Sequence, residues 1–142
     1  MRKFWIVVLL ALGLIVVLAA CGGGGSDAPA DTGSAGTVGN AARGQRLYEQ
    51  TVIGQASAPG CVTCHSMEPG VVIVGPSHAG LGARAGGYVA GMSAEEYLRQ
   101  SIIEPDAHIV DGFTPAVMYQ NYGSELNEQE IADLVAYMLS LQ

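Results

Sequence analysis

Two cysteines and a histidine lie within one run of five residues, Cys61-Val62-Thr63-Cys64-His65. Thiols at this spacing can form thioether bonds to the two vinyl groups of one porphyrin. The next residue then projects under the ring plane, where its imidazole can bind iron. The motif therefore predicts one covalently attached haem c, held by Cys61 and Cys64 and ligated by His65.

Two other kinds of site use a Cys-x-x-Cys pair, and the surrounding sequence favours neither. A thioredoxin-like redox pair would need a βαβ pattern around the motif, and none is evident. A zinc site would need a second pair of ligands, and His78 and His108 are too isolated to supply one.

The methionines after the motif are candidates for a second iron ligand. Met67 is only two residues from His65 and cannot reach the opposite face of the ring, whereas Met138 falls on the apolar stripe of a helix. Met118 lies 53 residues after His65, in a proline-containing loop that is long enough to cross that face. We predict that Met118 is the second ligand, with Met92 as the next candidate.

Two histidines and one arginine are further candidates near the haem. His78 and His108 compete with Met118 for the iron, but each is interpreted as an ordinary surface or packing histidine, with His78 on the proximal side. Arg84 is a candidate partner for a haem propionate, because fixed positive charge is scarce here and arginine pairs with carboxylates through two parallel hydrogen bonds. A solvated loop arginine is the alternative interpretation of Arg84.

Helix-start signals occur at three places and predict an all-α domain. Asn40 precedes a helix over residues 41–50, and capping boxes precede the other two, at Ser93 with Glu96 and at Asn127 with Glu130. The second helix ends before Pro105. The third repeats Ile131, Leu134, Val135 and Met138 at helical spacing.

The first predicted helix contains a glycine, and the remaining segments lack a clear strand pattern. Gly44 costs roughly 1 kcal/mol in a helix relative to alanine, which indicates the close approach of another helix, with a tolerated exception as the alternative. No segment alternates strictly between apolar and polar residues, so we expect no substantial sheet. Residues 52–60 are predicted to be a loop, and Val71–Val74 is the only β-like run.

These features together resemble the class I monohaem cytochromes c over residues 41–142. The resemblance implies a small all-α fold of three to five helices around one haem. It also implies that the first and last helices cross near Gly44, Tyr48 and Tyr137. In that family a proline carbonyl accepts a hydrogen bond from the proximal histidine, which corresponds here to Pro76 and His65.

The family's second ligand falls in the same loop as Met118, although a proline commonly follows it and Tyr119 stands here instead. This departure is expected to loosen the loop or to shift the reduction potential. The segment 112–123 looks especially like the cytochrome c domains attached to haem-copper oxidases and alternative complex III. The resemblance therefore implies respiratory or photosynthetic redox proteins as partners.

The N-terminus has the pattern of a bacterial export signal. Arg2 and Lys3 precede an almost wholly apolar stretch, and Leu18-Ala19-Ala20-Cys21 resembles a lipobox. We therefore predict a signal peptide over residues 1–20 and a lipidated Cys21, with an uncleaved membrane helix as the alternative. Both place the domain on the outer, periplasmic face of the cytoplasmic membrane.

Residues 21–40 form a Gly-rich tether with a typical reach of roughly 25 Å. It serves as a leash between redox partners or as a simple spacer, and the sequence does not separate the two. Without Arg2 and Lys3 the chain has four arginines, no lysine and 13 acidic residues. This balance excludes nucleic-acid binding and favours partners with positively charged faces.

Three function classes follow from this pattern. An iron with both axial positions filled would pass single electrons without transforming a substrate, so an electron carrier and not an enzyme is the first prediction. A haem enzyme or gas-binding protein would need an opened sixth position, and an accessory subunit would use the haem only for structure.

Overall fold

The computed structural model describes residues 37–142. The predicted signal peptide, Cys21 and the tether up to residue 36 lie outside the described residues. Residues 37–40 lead directly into the first helix.

Five α-helices and one short hairpin make up the regular structure of residues 37–142. The helices are α1 Ala41–Tyr48, α2 Leu81–Arg84, α3 Ala94–Ile103, α4 Tyr122–Glu125 and α5 Glu128–Leu139. The strands are β1 Val52–Ile53 and β2 Ala58–Pro59, which pair antiparallel, and 3₁₀ turns cover Cys61–Thr63 and Ala85–Gly87. None of the helices in this part of the chain is long and apolar enough to cross a bilayer.

The predicted helix starts are all present. The side-chain oxygen of Asn40 accepts a hydrogen bond from the backbone N–H of Arg43 at 2.9 Å. Full capping boxes begin α3 and α5, at Ser93 and Asn127. Each cap satisfies backbone donors that a helix end leaves without partners. The first helix is two residues shorter than predicted, because it ends at Tyr48.

Helices α1 and α5 cross at Gly44, as the family resemblance implies. A side-chain carbon on Gly44 would overlap the backbone carbonyl of Asp133 and would lie 2.8 Å from Cβ of Tyr137. Next to this crossing, the rings of Tyr48 and Tyr137 meet edge to face with their centroids 5.2 Å apart. Glycine is therefore required by the close approach of the two helices.

An ion pair that the sequence did not reveal secures the same crossing. Asp133 is 4% exposed, and its carboxylate accepts hydrogen bonds from Nε of Arg43 at 2.6 Å and from the backbone N–H of Asn40 at 2.7 Å. Burial alone would raise the pKa of Asp133. These bonds, together with one from Gln129, outweigh burial and hold that pKa below its ordinary value.

One prediction about local structure is wrong. Residues 52–60 contain the β1–β2 hairpin and are not only a loop, since Ile53 and Ala58 pair and are both buried. Strands of two residues are too short to show alternation. In the described residues this hairpin is the only sheet, so the expectation of no substantial sheet is confirmed. The β-like run Val71–Val74 forms no strand: its side chains are 41–59% exposed, and only Val72 makes a single bridge, to His65. The one-turn helices α2 and α4 were also not predicted.

Candidate functional site

The predicted haem-binding residues line one cavity. Its volume is about 570 Å³, within the usual range for a small-molecule site, and Cys61, Cys64, His65 and Met118 all face it. The remaining wall is largely apolar and includes Ile53, Leu81, Leu98, Ile102, Leu126, Leu134 and Met138. The cavity therefore brings together sulfur and imidazole donors inside an apolar lining.

A tight turn shapes the Cys-x-x-Cys-His motif. The backbone N–H groups of Cys64 and His65 both donate to the carbonyl of Cys61, at 3.1 and 2.9 Å. Neither cysteine forms a disulfide. Burial raises the pKa of the Cys61 thiol to about 12, so this thiol keeps its proton until it reacts.

His65 is oriented by a backbone carbonyl. Its Nδ1 lies 2.9 Å from the carbonyl oxygen of Pro76. Because a carbonyl only accepts, Nδ1 carries the proton and Nε2 keeps a lone pair for a metal. Burial lowers the pKa of His65 and so favours this neutral form. A side chain on Gly75 would collide with the imidazole, at 2.8 Å from Nδ1.

His78 stacks on His65 and lines the same cavity, and one of its ring nitrogens is engaged by another side chain. The two imidazole rings are stacked with centroids 3.9 Å apart and planes inclined by 19°. The Nδ1 atom of His78 lies 3.0 Å from the hydroxyl of Tyr48. Burial, with smaller effects of His65 and Arg84, lowers the pKa of His78 to about 2, so its ring is neutral.

Arg84 ties together the segment that follows Pro76. Its Nε donates to the hydroxyl of Tyr88 at 2.9 Å, and its two Nη groups donate to the backbone carbonyls of Ser77 and Ala79. Arg84 also faces the cavity. Two of its five N–H groups remain for a further acceptor, so the propionate contact stays a prediction.

The cavity separates the methionine candidates. Met118 and Met138 face it, whereas Met92 lines a shallow surface groove and Met67 is 39% exposed. Met138 is 5% exposed and belongs to the buried stripe of α5. Met118 lies on irregular backbone and is half-buried. Its thioether is therefore better placed than that of Met138 to bind an iron in the cavity.

The Met118 segment is held by polar contacts that sequence reasoning missed. The carboxylate of Asp106 accepts from the backbone N–H of Ala116 at 2.9 Å, and Ala116 has a left-handed φ of 60°. The side-chain amide of Gln120 donates to Asp106 at 3.3 Å and to the carbonyl of Met118 itself at 2.8 Å. An aspartate followed ten residues later by a loop offers no sequence signal for this contact.

His108 also faces the cavity, as part of an aromatic cluster. Its ring lies 5.8 Å from that of Tyr97 and 6.2 Å from that of Tyr88, between centroids. The two tyrosine rings are stacked at 4.9 Å. The ring of His108 thus packs against two tyrosine rings, in keeping with its interpretation as a packing histidine.

The donor set fits a covalently bound haem. Two thiols lie in one turn, a neutral imidazole has its Nε2 lone pair available, and the thioether of Met118 lines the same cavity. Imidazole and thioether are established ligands of haem iron. Among the described residues no cluster of three or more histidine, cysteine or acidic side chains could hold a metal without such a cofactor.

A family model described as Cytochrome c matches residues 41–142, which include all the cavity residues named above. No curated protein matches the chain.

Proposed function

Because the chain belongs to the cytochrome c family, and is thus an electron-transfer protein with covalent haem c, we propose that it is a membrane-tethered carrier of single electrons. The predicted class I fold is confirmed, with five α-helices and a two-stranded hairpin in residues 37–142. The haem c prediction is confirmed by the same family assignment.

One observation carries the proposal: His65 and Met118 face the same apolar cavity. When bound there, haem supplies a reversible one-electron change of its iron. His65 is fixed by Pro76 with Nε2 available, and Met118 provides a thioether from a tethered loop. With both residues as iron ligands, the haem would offer no open coordination site to a substrate.

The surroundings of the site favour a high reduction potential. A thioether ligand stabilises ferrous iron relative to a second imidazole, and an apolar wall disfavours the extra charge of the ferric state. Leu98 and Ile102 of α3 and Leu134 of α5 contribute to that wall, and Leu98 and Leu134 are 2% and 1% exposed. The potential then suits electron delivery to an oxidising partner.

The anchor and the partners are part of the proposal. Cys21 lies where a lipobox places its acylated residue, and the tether gives the domain a reach of roughly 25 Å from the outer face of the bacterial cytoplasmic membrane. The acidic domain favours a partner with a positively charged docking face, such as a subunit of a respiratory complex.

Detergent extraction and mass spectrometry test this proposal. The native protein should begin at an acylated Cys21, and a respiratory complex should accompany it in mild detergent. Cys21→Ser should abolish acylation without altering the visible spectrum of the holo-protein. An intact mass that starts at unmodified Met1 would contradict the lipid anchor. Loss of haem from the Cys21→Ser protein would contradict the assignment of this cysteine to lipid alone.

A further inference from the structure

The residue that follows Met118 is anchored through its side chain. The hydroxyl of Tyr119 donates a hydrogen bond to Oε1 of Glu125 at 3.1 Å. The ring of Tyr119 also lies edge-on against that of Tyr122, with centroids 5.1 Å apart. The backbone next to the proposed ligand is therefore tied to α4.

Glu125 connects this segment to the other side of the site. It is 7% exposed, and its Oε2 accepts from the backbone N–H of Ala56 at 2.6 Å. Its own carbonyl accepts from the backbone N–H of Gln55 at 3.3 Å. Both donors lie in the β1–β2 turn, a few residues before Cys61. One carboxylate thus bridges the Met118 segment and the segment that leads into the haem motif.

The buried carboxylate of Glu125 needs both of its hydrogen-bond donors. A buried carboxylate is costly unless hydrogen bonds satisfy it, and here each oxygen has its own donor. Moving Tyr119 away would leave Oε1 without that donor in a buried position. The hydrogen bond between Tyr119 and Glu125 therefore restrains the Met118 segment.

We propose that Tyr119 and Glu125 are positioning residues that hold Met118 on the iron against competing ligands. The inference rests on the proposed function, in which Met118 would be the second iron ligand. A thioether from the protein competes with ligands from solution through its effective concentration at the iron. A loop with more conformational freedom lowers that effective concentration. The Asp106–Gln120 contacts restrain the same loop, so losing the Tyr119 hydroxyl weakens ligation without abolishing it.

Imidazole titration of the ferric holo-protein tests the proposal, because imidazole must displace the sixth ligand. Tyr119→Phe keeps the ring and loses the hydroxyl, and should bind imidazole about fivefold more tightly, the equivalent of about 1 kcal/mol for one hydrogen bond. Glu125→Gln should tighten binding at least as much. The double variant should bind no more tightly than Glu125→Gln, since both changes break the same bridge.

Tyr122→Phe is the matched control. It removes a neighbouring tyrosine hydroxyl bond, 2.6 Å long, that ends on the carbonyl of Pro59 and not on the Met118 segment. It should lower the unfolding temperature and leave imidazole affinity within twofold of wild type. Equal imidazole affinity of Tyr119→Phe and wild type would overturn the proposal, and so would an equal gain in Tyr122→Phe.

Met118→Ala separates this inference from the proposed function. If Met118→Ala binds imidazole no more tightly than wild type, Met118 is not the ligand and the proposed function fails at that point. If Met118→Ala binds much more tightly while Tyr119→Phe is unchanged, only the positioning role fails.

Discussion

The Nδ1 atom of His65 lies 2.9 Å from the carbonyl oxygen of Pro76, with Gly75 packed directly against the same imidazole. This relationship fixes three properties of the ring: its tautomer, its orientation and the direction of its free nitrogen. The segment that carries Pro76 is itself held by Arg84, through the carbonyls of Ser77 and Ala79. The orientation of the ligand thus depends on residues up to 19 positions along the chain.

Gly75→Ala should disturb this arrangement. The added carbon would lie 2.8 Å from Nδ1 of His65, and overpacking of this kind costs typically 1–3 kcal/mol. We expect a lower denaturant midpoint of the holo-protein and a shifted reduction potential. Gly87→Ala is the control, because a side chain there meets nothing within 4 Å. Identical midpoints and potentials for the two variants would show that Gly75 does not restrict the imidazole.

The Asp133 ion pair predicts a pH dependence of stability. Asp133→Asn should lower the free energy of unfolding by about 1–3 kcal/mol at neutral pH, because the donors from Asn40 and Arg43 lose a charged acceptor. The pKa of Asp133 is lower in the folded state than in the unfolded state. The wild-type advantage is therefore complete above about pH 4 and is lost as the pH falls through the folded-state pKa.

Urea unfolding of both proteins over a pH series measures this difference. Glu128→Gln is the control, since its pair with Arg99 is exposed and should contribute less than about 1 kcal/mol. A wild-type advantage that stays constant down to the lowest pH would contradict the role of the ionised Asp133.

The two cysteines of the motif should both be needed for full haem attachment. Cys61→Ala or Cys64→Ala should markedly lower the yield of holo-protein, and the double variant should hold no covalent haem. Without haem, the apolar cavity of about 570 Å³ would be left empty, which destabilises the folded state. The apo-chain should therefore not fold compactly. Haem staining of denaturing gels and circular dichroism measure both effects. A compact, haem-free double variant would refute the second expectation.

Local signals in the sequence were sufficient for much of this fold. Asn40, Ser93 and Asn127 begin helices because each cap acts within three residues, and Gly44 indicated the close approach of another helix because glycine is costly inside a helix. The Cys-x-x-Cys-His motif carries its chemistry in its own spacing. The pairing of His65 with Pro76 came from the family resemblance.

Some of the contacts that were not predicted join residues far apart in the chain. Asp133 meets Arg43 across 90 positions, and Glu125 meets Ala56 across 69. An acidic residue on a helix ordinarily indicates a solvated face, and only the fold shows that these two are buried. The β1–β2 hairpin was missed for a different reason, since two residues per strand give no period to detect.

Carbon monoxide binding to the reduced holo-protein tests the central claim most directly, because it reports whether the sixth position is filled by Met118. Wild type should not bind carbon monoxide, whereas Met118→Ala should bind it readily and have a lower reduction potential. Met92→Ala, whose side chain lies away from the cavity, should behave like wild type. Rapid carbon monoxide binding by wild type, or indifference of Met118→Ala, would contradict an electron carrier ligated by His65 and Met118.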